Sequence, residues 1–284
     1  MLSLALPAPA KINLFLHVTG RRDDGYHLLE SVFAPISLAD TVRLTLRADG
    51  DIRLVNAPEG LTAQNDLACR AARALQATTH SPLGVDIELL KRIPQGAGLG
   101  GGSSDAASTL LGLNRLWNLA LPRAELQTIG EMLGADVPFF VFGTPALARG
   151  VGEQLQAVTL PVLHVVVASP GVAVGTGPVF THPALTRNTP RLSTPVFKLN
   201  FGRNDLQPVA VGLAPDIGRL CTAFGAAGVQ PRMTGSGSCV FALAHHAGEA
   251  SLLRAALVHA GWRGWAARTL RRHPLYDLTD SAII

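Results

Sequence analysis

Between Pro94 and Ser108 the chain reads PQGAGLGGGSSDAAS, five glycines and three serines in fifteen positions. So much glycine costs backbone entropy and is tolerated where the main chain must take positive φ or approach something closely. The run follows VDIELLKRI (85–93), which alternates like a strand, and leads into Ala-rich sequence expected to be helical from Ser104 to Trp117. Loop and helix start bring consecutive N–H groups and the positive end of a helix dipole to one place, which suits an anion. The pattern GxxxxGK[ST] is absent because no lysine follows the glycines. A dinucleotide fold would need a parallel strand before the loop and an acidic residue beyond it. The expectation is a phosphate cradle of neither common type.

The surrounding sequence supplies a scaffold. AKINLFLHV (10–18) alternates, with Ile12, Leu14, Leu16 and Val18 on one face and Lys11, Asn13, Phe15 and His17 on the other, so a half-buried strand is expected. TVRLTLR (41–47), DIRLVN (51–56) and 85–93 alternate likewise and predict an antiparallel sheet. Helices are expected at 65–78 and 123–133, the latter closed by Gly134. A second block opens near Leu155 with LPVLHVVVASP, followed by Pro- and Gly-rich sequence to about Val196. Segments 204–218 and 218–228, the glycine-rich MTGSGSCVFAL (233–243) and a helix near 249–260 would complete an α+β unit.

With 284 residues, 48% apolar and 15% charged, the chain can bury a large core in two domains or one large one. An excess of four positive charges mildly favours anionic ligands without identifying nucleic acid. Cys69, Cys221 and Cys239 lack zinc spacing and read as free thiols, which fits a reducing cytoplasm. The N-terminus has no basic stretch ahead of its apolar run, so no signal peptide is expected. The uncharged stretch 154–186 is cut by Pro161, Pro170, Pro178 and Pro183 into pieces too short to cross a membrane.

PQGAGLGGGSSDAAS resembles the phosphate-binding motif of the GHMP kinases, small-molecule kinases with a left-handed βαβ element. PAKINLFLHVTGRRDDGYHLLESVF (9–33), GADVPFF (134–140) and MTGSGSCVFAL resemble the family's remaining motifs, in family order. The resemblance implies an α+β, two-domain GHMP kinase fold, with a ribosomal-S5-like N-terminal domain (1–154) and a ferredoxin-like C-terminal domain (155–284). It implies ATP and Mg²⁺, with nucleotide held by Pro94, Gly96, Ala97, Gly98, Leu99, Gly100, Gly101, Gly102, Ser103 and Ser104. Ser104 is a candidate metal contact, and no carboxylate takes the metal-ligand role.

From the residues alone, Lys11 is a strand residue and Asp136 a helix N-cap ahead of Pro138. The resemblance makes Asp136 the catalytic carboxylate and Lys11 the cation that steadies it. It also makes Asn13, Tyr26, His27 and Phe180 the lining of a pocket for an acceptor that carries a diphosphocytidyl group. The third glycine motif would close over the phosphates or support the first loop. A family member with a homoserine, mevalonate or sugar acceptor is the nearest alternative. A nucleic-acid-binding module is another, because Gly261–His273 mixes Trp262 and Trp265 with Arg263, Arg268, Arg271 and Arg272. The plainer reading of that segment is a terminal strand with a basic edge. Small-molecule partners are expected, with no nucleic acid and no membrane.

Overall fold

The structure is a computed structural model that describes residues 2–57, 62–192 and 201–278. The Pro- and Gly-rich stretch expected to end near Val196 therefore ends outside the described residues. The first layer is a mixed six-stranded sheet. Its spine is a hairpin of two long strands, β1 (Ser3–Arg21) and β2 (His27–Arg47). β3 (Ile52–Leu54) is followed by helix α1 (Leu67–Thr79), β4 (Gly84–Leu90), α2 (Gly101–Leu116), α3 (Arg123–Glu131) and α4 (Val137–Phe142). β5 (Ala146–Arg149) and β6 (Gln154–Ala157) complete this sheet.

The second sheet has the order β10-β7-β9-β8. β7 (His164–Ser169) leads through α5 (Thr176–Thr181), α6 (Gln207–Leu213) and α7 (Pro215–Ala226) to β8 (Arg232–Met233) and β9 (Val240–Ala244). Helix α8 (Ala247–His259) precedes β10 (Arg263–Arg268), the edge strand that carries Arg263, Trp265 and Arg268 of the basic, Trp-containing segment. The last described residues, Tyr276–Leu278, form a 3₁₀ turn. The boundary expected after residue 154 falls within β6, which pairs with β5 in the first sheet.

Three apolar cores follow from these layers. One lies between the first sheet and α1–α4, built on Val42, Leu44, Leu75, Leu110 and Phe139. A second fills the space where the sheets face each other, with Ile12, Ile36, Val165 and Phe241. The third lies beneath α6–α8, with Leu16, Val18, Leu220 and Leu253.

Two expectations are corrected here. The first sheet is not wholly antiparallel, because β3 runs parallel to β4, Ile52 opposite Val85; helix α1 supplies the crossover between them. The strand over residues 10–18 is not half buried. Lys11, Asn13, Phe15 and His17 are as inaccessible as their alternating neighbours, since the two glycine-rich loops and Phe201 cover that face. Alternation shows which residues share a face but not what lies on it.

Candidate active site

The glycine loop is fixed through its carbonyl groups. Lys11 N–H donates to the Leu99 carbonyl at 2.9 Å and Cys239 N–H to that of Ala97 at 3.1 Å. The Thr234 hydroxyl donates to the Gly98 carbonyl at 3.2 Å. Gly98 and Gly100 hold φ of +77° and +69°. A Cβ on Gly98 would lie 2.1 Å from the Thr234 carbonyl oxygen, and one on Gly100 3.0 Å from the Phe140 ring. Both glycines are therefore required by the protein's own packing, before any ligand arrives.

Helix α2 starts one turn earlier than expected, with Gly100 as N-cap. Its first backbone bond is Ser104 N–H to the Gly100 carbonyl, so the amides of Gly101, Gly102 and Ser103 are left for an external acceptor. The first turn contains no acidic residue. An anion there meets the positive helix end without a competing carboxylate in that turn.

Lys11 and Asp136 meet across the head of this loop. Lys11 Nζ lies 3.5 Å from Asp136 Oδ2, donates to Asn13 Oδ1 at 2.8 Å and sits 4.8 Å from the centre of the Phe33 ring. Lys11 is 3% exposed, whereas the Asp136 side chain is 32% exposed. The cation is thus held by the protein and the carboxylate opens outward. Asn13 is more heavily committed than a ligand contact requires. Its Oδ1 also accepts from Gly235 N–H, its Nδ2 donates to Ser31, and its own N–H donates to Thr234 Oγ1. It joins β1 to the third glycine motif.

A cavity of about 930 Å³ is lined by the glycine loop from Pro94, by the Lys11–Asp136 pair, and by Asn13, Tyr26, His27 and Phe180. Gly235, Ser236 and Gly237 of the third motif line it too, so that motif both borders the cavity and supports the first loop. Leu99 and Ser104 are buried behind the lining, and Ser104 Oγ has no hydrogen-bond partner among the described residues. The His27 and Phe180 rings pack with centroids 5.1 Å apart and a 37° tilt between their planes, while Tyr26 is 65% exposed at the rim. Burial lowers the His27 pKa, helped by the Arg187 and Arg21 charges, which favours the neutral ring.

Sequence reasoning missed several groups here. Lys91 touches both Asp40 and Asp105, and Asp40 Oδ1 accepts from the Arg92 and Ile93 amides. This cluster clamps the end of β4 to the head of α2, and Lys91 and Asp105 line the cavity beside Asn65 and Leu67. Asn204 Nδ2 donates to the Met233 and Gly235 carbonyls, which shapes the third glycine loop from below. Arg187 donates to His27 Nε2 at 3.0 Å. No local motif marks these residues, because their partners are distant in sequence.

Profiles of the GHMP kinases match the chain twice, the N-terminal domain at residues 66–144 and the C-terminal at 187–263. The chain belongs to the GHMP kinase family. This GHMP kinase is 54% identical over 277 residues to a Thiobacillus denitrificans protein named 4-diphosphocytidyl-2-C-methyl-D-erythritol kinase, covering 97% of this chain and 99% of the relative. An Azoarcus protein of the same name is 49% identical, covering 96% of each. A crystal structure of 4-(cytidine 5'-diphospho)-2C-methyl-D-erythritol kinase superposes with a TM-score of 0.80 at 38% identity, over 94% of this chain and 99% of the other. A mevalonate kinase superposes with a TM-score of 0.66 at 14% identity, over 95% and 99%, which shows the fold alone. Among the described residues of this GHMP kinase, no helix is long and apolar enough to cross a membrane.

Proposed function

We propose that the chain transfers the γ-phosphoryl group of ATP to the 2-hydroxyl of 4-diphosphocytidyl-2-C-methyl-D-erythritol, giving the 2-phosphate and ADP, a step of non-mevalonate isoprenoid synthesis. The observation that carries this reading is that the Lys11–Asp136 pair shares one cavity with the amide-rich glycine loop and the His27–Phe180 ring pair. The amides from Gly96 to Ser103 and the head of α2 receive the triphosphate. Asp136 accepts the hydroxyl proton as the new O–P bond forms and ADP leaves, while Lys11 balances the charge that gathers on the transferred group and holds the carboxylate in place. Tyr26, His27 and Phe180 hold the pyrimidine, and Asn13 keeps Lys11 in place.

Mg²⁺ supplies neutralisation of the triphosphate charge. Among the described residues no group of three His, Cys, Asp or Glu side chains could hold a metal. An ion brought in by the nucleotide would be bound mainly by phosphate and water; the Ser104 hydroxyl lies buried behind the cavity lining rather than on it. The free cysteines accord with a cytoplasmic enzyme. The test is to incubate purified protein with ATP and, separately, the cytidylated erythritol, mevalonate, homoserine and galactose. Phosphorylation of the first alone is expected; turnover of another acceptor without it rejects the assignment.

A further inference from the structure

The segment after α5 lies along the far end of the β1–β2 hairpin and is tied down at several points. Thr189 N–H donates to the Val18 carbonyl at 3.0 Å, the Thr189 hydroxyl to buried Asp205 at 2.6 Å, and Leu192 N–H to Glu30 at 2.8 Å. Arg187 is held within this strap. One terminal nitrogen donates to the Phe180 and His182 carbonyls, the other to that of Leu185, and Nε donates to His27 Nε2 at 3.0 Å.

An arginine guanidinium has only N–H donors and keeps its proton throughout the working pH range. Its partner on His27 must therefore be a lone pair, so the single proton of the neutral imidazole sits on Nδ1. Among the described residues Nδ1 has no hydrogen-bond partner, and it is not among the sealed, unsatisfied polar atoms, while His27 lines the cavity. His27 thus offers the cavity a donor of fixed polarity. Among the described residues Arg187 from the strap bonds the ring, Phe180 from α5 packs against it and the Arg21 charge from β1 acts on it. None of them can accept the Nδ1 proton in its place.

Resting on the function proposed above, we infer that Arg187 is a positioning residue that selects the pyrimidine: it fixes His27 as an Nδ1–H donor, which accepts cytosine and refuses uracil. Cytosine carries a lone pair at ring position 3, whereas uracil carries an N–H there. Facing a fixed donor, uracil places two donors against each other and leaves both unsatisfied in a buried setting. A histidine free to change tautomer would accommodate either base.

Nitrogen-15 NMR of the full-length protein at pH 7, without acceptor, reads the tautomer directly. The expected signature is a pyridine-type Nε2 and a protonated Nδ1 on His27; a protonated Nε2 overturns the inference. In Arg187→Gln the tautomer bias should disappear. With the cytidylated acceptor, KM should rise about 3–10-fold with kcat within about twofold, the size of one lost hydrogen-bond constraint. Preference for the cytidylated acceptor over its uridylated analogue should fall by about tenfold or more in kcat/KM, and an unchanged preference overturns the inference. Arg187→Lys keeps a donor-only partner and should restore part of the discrimination. If neither acceptor is phosphorylated, the function proposed above fails, whereas the tautomer measured on the free protein judges Arg187 by itself.

Discussion

Asp136 occupies the N-cap position of α4 yet its side chain caps no amide, and it turns instead toward Lys11. A carboxylate released from capping and left partly exposed beside a buried cation is available for proton transfer. Asp136→Asn preserves the shape and removes the basicity. Its kcat is expected to fall about 10²–10⁴-fold, with ATP affinity within about threefold, as read by steady-state turnover and nucleotide titration. Gly98 tests a different part of the same loop. Gly98→Ala forces a Cβ against the Thr234 carbonyl at positive φ, and thermal unfolding should report about 1–3 kcal/mol of destabilisation together with weaker nucleotide binding. Lys11, Asp136 and the glycines could be picked out from the sequence because each stands inside a contiguous motif. Asn204 and Arg187 could not, since an Asn under a loop and an Arg against a His acquire meaning only when residues about 30 and 160 positions apart meet.

The head of α2 shows how an element is held where its chemistry needs it. Two carboxylates, Asp40 on β2 and Asp105 on α2, share the ammonium of Lys91, and Asp40 also receives two backbone amides. Lys91→Met would leave both buried carboxylates without their cation. The expected loss of about 3–5 kcal/mol in denaturant unfolding should come with a raised KM for ATP, because the helix end proposed to receive the phosphates is no longer fixed. The elements themselves were mostly predictable, since long alternation gives strands and Ala-rich periodicity gives helices. Their neighbours were not. Nothing in DIRLVN states that it pairs in parallel with 85–87, and nothing in AKINLFLHV states that loops from opposite ends of the chain will cover its polar face.

Across the molecule, two buried groups give stability opposite dependences on pH. Asp105 is pushed up to about 7, chiefly by burial, so the folded protein holds a proton that the unfolded chain has released above its ordinary value of 3.8. This contribution is fully present below about 4 and is lost as pH rises through about 7. His273, sealed near Arg123, is pushed down to about 3 by burial. Its contribution is present above the unfolded value of 6.5 and is lost as pH falls toward 3. The two slopes oppose each other between about 4 and 6.5. Asp105→Asn should therefore lose stability more steeply on acidification than the parent chain, as followed by urea midpoints from pH 4 to 7.5.

β1 belongs to both halves of the fold. It pairs with β2 along its length, while its Leu16 N–H donates to the Arg203 carbonyl and its Val18 carbonyl accepts from Thr189. A swing of one half against the other would have to break those bonds, so β1 couples the two halves directly. Exposed Tyr26 and the short helix α5 border the cavity. One beam thus sets the spacing of the walls on either side of the cavity.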